Sequence, residues 1–141
     1  MKVYKVVQTV GGKVYSCCKN SDFPQEARVE YKVGEYTKPN DVMKDSLLFA
    51  FKSLHEAKLF QDTFCSLDIK VYESDGVGVT KACYPQKIDY CYDLNFYIKY
   101  WLSFTQNRKL KKKLPKGQVQ HFIHRYKTGV CCREIKLKKV V

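Results

Sequence analysis

The chain has 141 residues, 45% hydrophobic and 14% aromatic, a composition that excludes wholesale disorder and suits one folded domain. Its formal charge of +12 arises from 26 Lys and Arg against 14 Asp and Glu. The opening MKVYKVVQTV alternates apolar with polar residues rather than showing a signal pattern, and the apolar stretch 88–104 carries Asp89, Asp93, Asn95 and Lys99; the expectation is a soluble, intracellular protein with no membrane partner, its seven cysteines held as thiols.

The elements begin with a hairpin. Residues 2–10 and 13–18 flank Gly11-Gly12, a dipeptide suited to the positive φ values of a two-residue turn. A loop through Asn20, Asp22 and Pro24 follows, and residues 28–33 then alternate with period two, placing Arg28, Glu30 and Lys32 on one face. Gly34 ends that strand, and residues 35–45 read as loop around Pro39-Asn40-Asp41. The apolar run 47–51 reads as a buried strand.

Ser53-Leu54-His55-Glu56 has the spacing of a capping box, in which Ser53 accepts from the Glu56 amide and Glu56 reaches back. Leu54, Ala57, Phe60 and Phe64 follow at helical spacing, so a helix is predicted over 53–64. Residues 69–73 read as a strand, 74–78 as a turn and 79–84 as a strand ended by Pro85. A second helix is predicted over 93–104, capped by Asp93 and presenting Leu94, Tyr97, Ile98, Trp101 and Leu102 as an apolar stripe. After a basic loop, 107–117, come a strand over 119–126, a turn at Lys127-Thr128-Gly129 and a last strand over 130–141 whose faces both look mixed. Together these predict an α+β fold: a largely antiparallel sheet with two helices in a single domain, 1–141.

Charge is unevenly placed along this plan. Residues 1–98 hold thirteen bases and thirteen acids, whereas 99–141 hold thirteen bases and only Glu134, so the positive segment is 99–139. A one-signed field of this kind attracts anions, phosphate foremost. Only four residues are Arg (Arg28, Arg108, Arg125 and Arg133), three of them in the basic third. Arginine offers a planar bidentate fork to phosphate, whereas lysine acts as a point charge.

Motifs for catalysis are thin. The sequence has no nucleophile elbow, P-loop or dinucleotide fingerprint, and Gly76-Val77-Gly78 lacks the third glycine. The three histidines form no His-x-Thr/Ser pair, and no C-x-x-C accompanies the vicinal cysteines, whose neighbours on a strand point apart. The expectation is a binding protein without catalytic residues, metal or cofactor. Its anionic ligand is either a small phosphorylated molecule in a pocket or a nucleic acid; docking of an acidic protein on the same face fits the charge equally.

Tyr4-Lys5-Val6-Val7, then Val29-Glu30-Tyr31-Lys32-Val33-Gly34-Glu35-Tyr36-Thr37-Lys38-Pro39, then Leu48-Phe49-Ala50-Phe51-Lys52-Ser53-Leu54-His55-Glu56-Ala57, and finally Thr128-Gly129-Val130-Cys131-Cys132-Arg133-Glu134-Ile135-Lys136-Leu137 resemble the small phage proteins of the first Thoeris anti-defence type. The resemblance implies a sponge: a non-catalytic protein that sequesters the cyclic ADP-ribose-type messenger of a bacterial immune enzyme, and in some members cyclic oligonucleotides, in the cytoplasm of the infected host. It also implies self-assembly, as a homo-dimer or a hexamer, with pockets at subunit interfaces. Family pockets use an aromatic, an Asn and arginines of the C-terminal half. Carried over by position, these imply Tyr84 or Phe96 for stacking, Asn95 for ribose or base, and Arg108 and Arg133 for the pyrophosphate. Arg28, beside Gly34, is expected at a second, phosphate-rich site. The alternative to the sponge is a basic nucleic-acid-binding phage protein.

Overall fold

The computed structural model describes residues 1–17, 28–64, 68–81, 102 and 126–141. Strand β1, Lys2–Val10, turns at Gly11 and Gly12, whose φ values of 57° and 79° belong to a primed hairpin turn, into β2, Lys13–Ser16. The following strand is shorter than its alternation predicts: β3 is Glu30–Tyr31, because Tyr31 is buried while Val33 is half exposed and the chain turns at Gly34, φ 88°. The expected loop 35–45 contains a short strand, β4, Tyr36–Thr37, and a single 3-10 turn, Asp41–Met43, whose first free amide is met by the Asn40 side chain accepting from Met43 N at 3.1 Å.

Strand β5, Leu48–Phe51, leads into the helix α1, Leu54–Asp62. Ser53 caps it as expected, its hydroxyl accepting from Glu56 N at 3.3 Å. The other half of the capping box is corrected: the Glu56 carboxylate leaves its own helix and accepts from the backbone amides of Lys127, 3.0 Å, and Thr128, 2.8 Å, and from the Thr128 hydroxyl. Ala57, Phe60 and Phe64 form the packed stripe, while Leu54, expected on it, is 37% exposed.

Strand β6, Ile69–Val77, runs straight through the predicted turn at 74–78. Ser74 is buried, and at Gly76 an added Cβ would come within 2.9 Å of Cys132 Sγ and 3.2 Å of Val3 Cγ2. Glycine is therefore present for a close approach inside the sheet, and the bend itself lies at Gly78, φ 64°. Strand β7 is Thr80–Lys81, β8 is Gly129–Cys132 and β9 is Glu134–Val140. The faces of β9 are not mixed: Ile135 and Leu137 are fully buried and Lys136 and Lys138 point away, in a register shifted by a bulge at Lys138, the β9 residue skipped where Glu73 pairs with Lys139 and Ser74 with Leu137.

Every strand pairing among the described residues is antiparallel. The neighbour order is β4-β9-β6-β1-β5-β8-β7, with β2 on β1 and β3 on β2. Because β8 and β9 are one run broken at Arg133, whose amide donates to Val77 O at 2.8 Å, the order returns to its start: β1 to β6 to β9, along the chain to β8, then β5 and β1 again. The sheet closes on itself, which removes most of its open edge.

Closure makes an inside and an outside. Val3, Val7, Tyr31, Leu48, Ala50, Val130, Cys132, Ile135 and Leu137 fill the inner cluster. On the outer face α1 covers Val6, Ile69 and Val71, and Phe51, Phe60 and Tyr126 meet there with ring centroids 5.4–5.6 Å apart. The largely antiparallel α+β architecture holds, with one α-helix rather than two among the described residues. The predicted helix over 93–104 and strand over 119–126 lie outside the described residues, apart from the helical backbone of Leu102 and the buried Tyr126.

Candidate functional site

Arg28 precedes β3 and reaches across to β1, where Nη2 donates to Gln8 Oε1 at 2.8 Å. Its guanidinium lies 5.8 Å from the centre of the Tyr15 ring on β2, and its carbonyl accepts from Asn40 Nδ2 at 3.2 Å. The hairpin thus supplies both supports, Gln8 and Tyr15 being direct cross-strand partners. Among the described residues neither Arg28 nor Arg133 pairs with a carboxylate. Arg28 is therefore an oriented, half-buried cation that no carboxylate among the described residues neutralises, the state in which a guanidinium serves an anion best.

Arg133 sits at the break between β8 and β9 and is exposed. Its side chain lies over Gly78: a Cβ at that glycine would fall within 2.2 Å of Nε and 2.9 Å of Cγ. The two bends, at Gly78 and at Arg133, fit into each other and fix where the guanidinium leaves the surface. Arg28 and Arg133 are not brought together. Gln8 pairs with Ile69 and Arg133 is bonded to Val77, so the two arginines mark opposite ends of β6.

The segregation of charge along the sequence is partly cancelled in space. Lys139 of the basic third lies 3.5 Å from Glu73, which also holds Lys2 at 2.8 Å, and Lys38 lies 3.9 Å from Glu134. Lys136 stands 4.8 Å over the Tyr36 ring, whose hydroxyl donates to Asp75. That bond, with the N-terminal ammonium 3.0 Å away, holds the Asp75 carboxyl below its ordinary range, and the bond from Lys2 does the same for Glu73. The outer surface of β6 and β9 is an interleaved lattice of both signs, each exposed pair worth little by itself.

The inner cluster holds groups whose importance sequence reasoning missed. Lys5 shares a face with Val3 and Val7, is only 6% exposed, and donates from Nζ to Phe49 O at 2.6 Å, 5.4 Å from the centre of the Tyr31 ring. Burial pulls its pKa down to about 8. Among the described residues the buried Tyr31 hydroxyl has no hydrogen-bond partner, and burial pushes its pKa upward; burial likewise pushes the Cys132 thiol up to about 11. The signal was present in the alternation itself, since Lys5 lies between Val3 and Val7 on one period-two face.

The expected site residues Tyr84, Asn95, Phe96 and Arg108 lie outside the described residues. Among those described, no group of three or more His, Cys, Asp or Glu could hold a metal ion, and no helix is long and apolar enough to cross a membrane. No protein-family model, curated protein or solved structure matches the chain.

Proposed function

We propose that the protein is a phage anti-defence sponge, which binds a cyclic ADP-ribose-type immune messenger, and also cyclic oligonucleotides, without cleaving them. It acts as a homo-oligomer in the cytoplasm of the infected bacterial host. In this reading Tyr84 or Phe96 stacks on the base, Asn95 bonds the ribose or base, and Arg108 and Arg133 take the pyrophosphate. The predicted second helix, 93–104, carries two of these residues.

The observation that supports it most directly is Arg28, held by Gln8 and lying over Tyr15, with no carboxylate among the described residues to neutralise it. A surface arginine that served only solubility would have no need of two supports from a neighbouring hairpin. The separation of Arg28 from Arg133 along β6 suits two anion sites rather than one. The engagement of Lys136 and Lys139 with Tyr36 and Glu73 favours discrete arginine sites over a continuous basic track for nucleic acid.

Capture and release tests the reading. Purified protein is mixed with cyclic ADP-ribose isomers and cyclic oligonucleotides, freed of unbound ligand, heat-denatured, and the supernatant is analysed by mass spectrometry. An intact cyclic nucleotide is expected; a linearised product would mean an enzyme. No retention, together with salt-dependent binding of DNA or RNA, would replace the sponge with the nucleic-acid reading. Loss of one charged hydrogen bond in Arg133→Ala is expected to weaken capture by about 1.5–3 kcal/mol, and an unchanged Kd would remove Arg133 from the site.

A further inference from the structure

The closed sheet has one weak seam. Strand β1 is joined to β6 along 2–8 and to β2 along 7–10, and β5 is joined to β8 along its whole length. Between β1 and β5 the register holds a single pair, Tyr4↔Phe51. Next to that pair the Lys5 side chain turns inward and crosses the seam to the Phe49 carbonyl. Lys5, the one buried cation among the described residues, thus lies where the circuit has least backbone pairing.

We propose that Lys5 is a proton-linked brace across the β1–β5 seam, whose protonated form favours opening of the sheet there and whose neutral form seals it. A buried ammonium loses its hydration, and a single carbonyl with a distant aromatic face replaces that poorly. Among the described residues the titratable groups acting on it are Cys17 after β2, Tyr31 on β3, and Cys131 and Cys132 on β8; no carboxylate is among them. Opening the seam returns the ammonium to water, so the charged form gains most from it. Losing the proton removes that gain while leaving N–H groups for Phe49 O. It also adds a nitrogen lone pair, the kind of acceptor the buried Tyr31 hydroxyl lacks.

The seam guards Cys132, which is fully buried in the inner cluster beside β5. Opening is therefore read by thiol alkylation of the peptide carrying Cys131 and Cys132, quantified by mass spectrometry. Each rate is divided by that of the denatured chain at the same pH, which removes the intrinsic reactivity of the thiolate. With Lys5 at about 8 in the closed sheet and at 10.5 in the open one, and the Cys132 thiol at about 11 closed and 9.0 open offsetting about twofold of the Lys5 effect, the corrected opening ratio should fall about fivefold between pH 7 and pH 9. Lys5→Met should abolish that fall. An equal fall in wild type and Lys5→Met, or none in wild type, would overturn the proposal. Should Lys5→Met fail to fold, carbon-13 titration of Lys5 Cε in the wild-type protein decides: a midpoint near 8 supports the brace, and one near 10.5 overturns it.

Discussion

Lys5 sets the sign of the stability response above neutral pH. Its folded pKa, about 8, lies below the ordinary 10.5, so the penalty for burying its charge is full below pH 8 and is lifted as pH rises toward 10.5. Cys132 works the other way between 9 and 11, because its thiol ionises sooner in the unfolded chain, and Tyr31 opposes from about pH 10. The window in which Lys5 dominates is therefore pH 8–9, where denaturant melts should show a gain of about 0.5–1 kcal/mol that Lys5→Met lacks. Flat or falling wild-type stability across that window would contradict the buried cation. Tyr31→Phe belongs to the same chemistry: it deletes a buried hydroxyl with no partner among the described residues, so it should raise stability by about 1 kcal/mol at pH 7, whereas a loss would reveal a partner for that hydroxyl.

At the scale of elements, what could be read from the sequence was what neighbours in the chain decide. Gly11-Gly12 and Ser53 announce their turn and cap within four residues, and both form where expected. What could not be read was settled by partners far along the chain. Gly76 looked like a turn because its reason, the Cys132 sulfur, lies 56 residues away, and β9 looked mixed because a bulge at its own Lys138, opposite Glu73 and Ser74, shifts its register. Arg28 was legible as one of four arginines, but its supports, Gln8 and Tyr15, are known only once the hairpin is folded. Glu56 is the sharpest case, since the same sequence motif permits two partners. Its carboxylate anchors the Lys127-Thr128 turn to α1, so Glu56→Ala should cost about 1.5–3 kcal/mol, more than the roughly 1 kcal/mol expected of Ser53→Ala. A reciprocal capping box would instead make the two losses similar and strongly coupled, which a double-mutant cycle on thermal or urea unfolding would detect.

For the whole molecule, the topology separates the framework from the stretch to which most of the implied ligand contacts belong. Residues 82–125 connect β7 to Tyr126, three residues before β8, and β7 and β8 are antiparallel neighbours with Lys81 opposite Val130. Residues directly opposite in such a pair are only about 5 Å apart, and the turn 126–129 adds only a few residues beyond Val130, so the two ends of that stretch lie within reach of a short linker. The returning chain is secured independently of it, by Tyr126 in the aromatic cluster with Phe51 and Phe60 and by Glu56 on Thr128. Replacing residues 82–125 with about six Gly and Ser residues should therefore leave a cooperatively unfolding β framework, because loop closure depends only weakly on length. Circular dichroism and a single urea transition would show it, while a chain that no longer folds would mean that 82–125 helps to build the core. Capture by the shortened protein then divides the sites. If Tyr84, Asn95, Phe96 and Arg108 hold the pyrophosphate messenger, its retention should vanish, and any ligand still held should depend on Arg28, so that Arg28→Ala in the shortened chain releases it. Retention of the messenger by the shortened chain would instead move its site onto the closed sheet itself, with Arg133 at the bend as the first residue to test.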